Sequence, residues 1–122
     1  MNNKLKNSNM DFLFDAVLTL KTREECYNFF DDLCTMPEMK ALSQRIVVAK
    51  MLTEHKVYSD IVSETGASTA TISRVNRSLI YGSDGYAVAF ERLMEKETDG
   101  QKESTDPAEK DSPEDVFYQT GE

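Results

Sequence analysis

Little in this sequence could build a metal centre or a proton-transfer site. Its 122 residues include two cysteines and one histidine, which gives no metal-ligand spacing. His55 follows a predicted helix and reads as a solvated loop residue. Cys26 and Cys34 lie in what reads as one helix, with about 12 Å of rise between them, beyond the span of a disulfide. Both are expected to be reduced core residues. There is no carboxylate dyad beside an apolar pocket, no glycine-rich phosphate loop and no nucleophile with a partner base, so an enzyme is the weakest of the functional classes. No cofactor or metal is expected. Alternating apolar and polar runs bounded by turns are also missing, which makes the expected fold all-α. The opening MNNKLKNSNMD has no apolar signal region, and the FLFDAVLTL run is short and broken by Asp15. No membrane partner is therefore expected, and cytoplasmic residence follows by default.

Charge of one sign is abundant but unevenly placed. The formal net charge is −8, which by itself argues against a nucleic-acid binder. Residues 96–122, however, hold nine acids against three lysines, a net of −6, so residues 1–95 carry only −2. The tail contains Pro107, Pro113 and Gly100 and little that is apolar before Val116-Phe117-Tyr118. It is expected to be disordered, with that aromatic island a solvated chain end.

The remainder reads as about six helices in one domain, residues 9–95, behind a flexible stretch 1–8. Asn9 can cap a first helix running to about Leu20, with Leu13, Val17 and Leu20 on one face. Met10, Phe12, Phe14 and Leu18 cover much of the rest, more apolar surface than one small core needs. Thr22-Arg23-Glu24-Glu25 forms a capping box, followed by Cys26, Phe29, Phe30 and Leu33 at helical spacing. Thr35-Met36-Pro37-Glu38 repeats the device with a proline in the first turn. The third helix carries Met39, Leu42, Ile46 and Ala49 as one stripe, with Val47, Val48, Met51 and Leu52 extending it nearly all round. The surplus on helices one and three suggests a homodimer interface. After a Gly82-Ser83-Asp84-Gly85 turn, Ser83 or Asp84 can cap a last helix with Tyr86, Phe90, Leu93 and Met94 on one side.

The stretch hardest to explain by packing alone is YSDIVSETGASTATISRVNRSLIY, residues 58–81, which reads as helix, glycine turn, helix. Ile61, Val62 and Thr65 give the first helix its inward face, Gly66 is an αL-competent cap and Ser68 starts the second helix. Ile72, Val75 and Leu79 then turn inward, leaving Thr69, Ala70, Ser73, Arg74 and Arg77 outward. Arginine grips guanine edges or phosphates, hydroxyls bond to either, and Ala70 is small enough to meet a thymine methyl. No Asp or Glu occurs from Thr65 to Ser83, so nothing there repels phosphate. The alternative is an ordinary αα-hairpin whose second helix exposes hydroxyls. Val62 stands four before the turn glycine, where the common helix-turn-helix pattern has alanine, which bears on how the helices cross.

GASTATISR, the upstream LSQRIVVAKMLTEHKVYSDI and the earlier ECYNFFDDLC together resemble the Trp repressor superfamily, and within it the small Trp-repressor-like proteins of YerC/YecD type. The resemblance spans about Asp11 to Met94. It implies an all-helical, intertwined homodimer presenting its helix-turn-helices to successive major grooves, about 34 Å apart. It also implies base contacts at Thr69, Ala70 and Ser73, and a DNA-facing place for Ser59. Arg74 matches an arginine that helps enclose tryptophan in Trp repressor. Val75 stands where that protein has glycine, and an ungapped alignment puts Gln44 where it has the second arginine. A tryptophan-responsive switch therefore does not transfer, and the sequence names no other effector.

The expected function is that of a dimeric, sequence-specific transcriptional regulator, more specifically a repressor, with double-stranded DNA as partner. Lys56, Arg74 and Arg77 would supply phosphate or guanine contacts, and Ser59, Ser68, Thr69, Ala70 and Ser73 would complete the face. The alternative is a helical protein–protein interaction module that uses the acidic tail without specific DNA readout.

Overall fold

A computed structural model describes residues 6–102. They form six α-helices, α1 (Ser8–Leu18), α2 (Arg23–Leu33), α3 (Met36–Thr53), α4 (Tyr58–Thr65), α5 (Thr69–Tyr81) and α6 (Gly85–Lys102), and no strand appears among them. The all-α expectation holds. The chain divides into two compact units, which part between Ser43 and Gln44 inside α3.

In the first unit the helix boundaries follow from capping. Asn7, two residues before the expected Asn9, caps α1. Its Oδ1 accepts from the Met10 amide at 2.8 Å, with Asp11 placed against the positive helix end. α1 stops at Leu18, short of Leu20, where the Thr19 hydroxyl and amide both donate to the Ala16 carbonyl. At α2 the Glu25 amide donates to Thr22 Oγ1 at 3.1 Å, while the Glu25 carboxylate accepts from the Lys21 amide, one residue before the cap. The box at α3 is fully reciprocal. The Thr35 amide donates to Glu38 Oε1 at 2.8 Å and the Glu38 amide donates to Thr35 Oγ1 at 3.3 Å. The Thr35 amide first, and second its hydroxyl, which donates to Glu38 Oε1 at 2.9 Å, hold the exposed Glu38 carboxyl below its ordinary value. Cys34 is not within α2, as the sequence suggested, but is its extended C-cap; both cysteines are free and half-buried.

No residue of α1 or α2 is fully buried. Phe29 and Phe30 meet edge to face at 5.3 Å, whereas Phe12 is 77% exposed and Leu18 81%.

The second unit holds the core, built from Val48, Ala49 and Met51 of α3, Ile61 of α4, Ala67 of the turn, and Ile72 and Val75 of α5. Val47, Leu52, Leu79, Tyr86 and Phe90 pack against it, with the Tyr86 and Phe90 rings stacked 6.0 Å apart. Of the apolar stripe on α3, Ala49 is buried while Leu42 and Ile46 are exposed, and on α6 Leu93 and Met94 are exposed beyond Tyr86 and Phe90. α6 also continues to Lys102, past the Glu95 boundary that composition suggested, with the Thr98 hydroxyl bonded back to the Met94 carbonyl. The rest of the expected tail lies outside the described residues, as do residues 1–5 of the expected N-terminal arm.

α3 ends in a Schellman turn. The His55 amide donates to the Leu52 carbonyl and the Lys56 amide to the Met51 carbonyl, with His55 at φ 62. The chain is thereby turned directly into α4. At the other end of the hairpin, Asp84 occupies the residue before α6 with φ 62, and its carbonyl accepts from the Val88 amide.

Candidate nucleic-acid interface

α4, its turn and α5 form the expected helix-turn-helix, and the turn is fixed by a short chain of polar contacts. Gly66 takes the left-handed conformation, φ 72 and ψ 4, and its amide donates to the Val62 carbonyl. Thr65 works on both sides of the glycine. Its hydroxyl donates to the Ile61 carbonyl at 2.6 Å and accepts from the Ala67 amide at 3.1 Å. The Thr65 carbonyl, which has no partner within α4, accepts from Gln44 Nε2 at 3.2 Å. Ala67 is then buried between Gly66 and Ser68. Ser68 caps α5, its Oγ accepting from the Thr71 amide and donating to Thr71 Oγ1, both at 3.1 Å.

Packing sets which way α5 faces. Ile72 and Val75 are buried and Leu79 is half-buried. Thr69, Ala70, Ser73, Arg74 and Arg77 are all exposed, so one helix brings five of the eight candidate residues onto its outer side. Ser68 begins that surface, although its hydroxyl is engaged in capping. Lys56 and Ser59 lie apart from α5 in sequence and element, in the link before α4 and in its first turn, and both are exposed. The first turn of α5 contains no acid. Among the described residues neither Arg74 nor Arg77 is in an ion pair.

One inward assignment fails. Val62 is 36% exposed, since an eight-residue helix packing through Ile61 and Thr65 carries the residue after Ile61 about 100° round to the surface. Its bulk, where the common pattern has alanine, therefore lies outside the hairpin. Sequence reasoning also missed Ala67 as a core residue and Gln44 as the donor to the turn. A small apolar residue between the glycine and the cap was a usable signal for Ala67. Nothing local pointed to a bond across 21 residues.

The family model of the Trp repressor protein matches residues 8–94. The chain belongs to the Trp repressor family. The uncharacterized protein YerC of Bacillus subtilis strain 168 is 55% identical over 96 residues, which cover 79% of this chain and 92% of YerC. A TrpR-like protein from Eubacterium eligens, known as a crystal structure, is 62% identical with a TM-score of 0.73, over 75% of this chain and 95% of that one. A second crystal structure, from Staphylococcus aureus, is 55% identical with the same TM-score, over 76% and 94%. This is a family of DNA-binding regulators and not of enzymes.

The tryptophan site that the family resemblance implies does not fit these residues. Val75, in place of a glycine, is a buried core residue, and Gln44, in place of an arginine, is bonded to the Thr65 carbonyl. Among the described residues no His, Cys, Asp and Glu cluster could hold a metal, and no helix is long and apolar enough to cross a membrane.

Proposed function

We propose that this protein is a sequence-specific transcriptional regulator, a repressor by family, that binds double-stranded DNA as a homodimer and works in the cytoplasm alongside the chromosome. The observation that carries the proposal is the outer side of α5, exposed over Thr69, Ala70, Ser73, Arg74 and Arg77 and free of acids. Thr69, Ala70 and Ser73 face base edges, while Arg74, Arg77 and Lys56 take phosphates or guanine. Ser59 approaches from α4. Ser68 acts through its cap, which orders the amides of the first turn near the DNA backbone. Two arginines and a lysine per protomer make a thin electrostatic footprint, so useful affinity requires both copies. The exposed apolar residues of α1, Phe12, Phe14 and Leu18, are a surface for the second copy.

Selection from random duplex DNA tests this reading. The expected product is a palindrome with half-sites about one helical turn apart. A sequence pool with no enrichment would overturn it and move the function to the protein-interaction reading, in which the −6 carried by residues 96–122 engages a partner.

A further inference from the structure

The outer side of α5 does not end at its arginines. Continuing at helical spacing from Arg77 come Ile80 and Tyr81, which are 61% and 81% exposed. The surface therefore runs from basic to apolar along one helix. The chain beyond Lys102 carries the complementary order. Glu109, Lys110, Asp111, Glu114 and Asp115 precede Val116-Phe117-Tyr118, and residues 103–122 together hold seven acids and one lysine. α6 packs on the same core as α5 through Tyr86 and Phe90, and Lys102 lies about 18 Å along the helix from Phe90. Twenty further residues span up to about 66 Å, enough to return to α5 with length to spare.

We propose that residues 103–122 of this chain dock on the outer side of α5 in the absence of DNA, with the acids opposite Arg74 and Arg77 and the Val116-Phe117-Tyr118 island on Ile80 and Tyr81. The segment acts as an intramolecular competitor for phosphate. Non-specific DNA binding is almost wholly electrostatic and yields to the competitor, while a specific site adds base contacts and displaces it. Tethering gives the segment a millimolar effective concentration without any high intrinsic affinity. The effect on DNA rests on the proposed function; the docking does not.

The test uses the full chain. In one variant Glu109→Gln, Asp111→Asn, Glu114→Gln and Asp115→Asn remove the charge, and in another Phe117→Ser and Tyr118→Ser remove the island. Amide NMR spectra without DNA are expected to differ from wild type at Thr69–Tyr81 in both variants. Affinity for random-sequence duplex should rise about three- to tenfold in the neutralised variant, with a steeper salt dependence, because DNA no longer exchanges for an equally salt-sensitive ligand. Spectra unchanged along α5 in both variants would overturn the docking whatever the DNA result. Altered α5 spectra with no DNA binding by any form would support the docking and remove the proposed function.

Discussion

Arg77 and Ser73 lie one turn apart on the same exposed side of α5, yet they are assigned different work. Arg77→Ala should weaken binding to all duplexes and reduce the salt slope by about 1, whereas Ser73→Ala should shift preference among sequences by about 1 kcal/mol or more. Equilibrium titrations at several salt concentrations on selected and scrambled sites separate the two, and equal losses on every sequence for both variants would mean that the helix does not read bases. A second residue-scale prediction concerns Glu38. Its folded-state pKa is depressed by the bonds from Thr35, so its contribution is complete above the unfolded carboxylate range and is lost as pH falls through the lowered folded value. Thermal melts should therefore show wild type above Glu38→Gln at neutral pH, with the gap closing on acidification. A gap that persists in acid would assign the stabilisation to something other than the ionised carboxylate.

At the scale of elements, the legible parts of the fold were those written within a few residues. Thr22, Thr35, Gly66 and Ser68 announced helix ends because capping is satisfied locally, and each is found at or beside a helix end. Asn7 and Asn9 are the same residue type two positions apart, and only the placement of the following amides decides between them. The Gln44 contact lay beyond such reasoning, since it joins α3 to the end of α4. Gln44→Ala leaves the Thr65 carbonyl without its donor in a half-buried place and is expected to destabilise the fold by about 0.5–1.5 kcal/mol. Urea unfolding should show a lower midpoint at unchanged slope, and an unchanged midpoint would show that water replaces the amide without loss.

For the whole molecule, periodicity found the helices but could not say what covers them. α3 is apolar nearly all round, so sequence alone could not separate Val48 and Ala49, which are buried, from Leu42 and Ile46, which are exposed. The outward exposure of Thr69, Ala70, Ser73, Arg74 and Arg77 was legible because α5 is strongly one-sided, with Ile72 and Val75 buried on its opposite side. Phe12→Ser with Leu18→Ser should lower the sedimentation mass to that of a monomer at micromolar concentration and weaken DNA binding with it. A dimer of wild-type affinity would take α1 out of the interface.

The fully buried residues of the described chain are few, and none belongs to α1 or α2. If a second copy completes the burial, a newly made chain is most vulnerable to proteases while it is scarce and becomes durable only as it accumulates. Supply would then control regulation more steeply than in proportion, because dilution removes DNA-binding form and lifetime together.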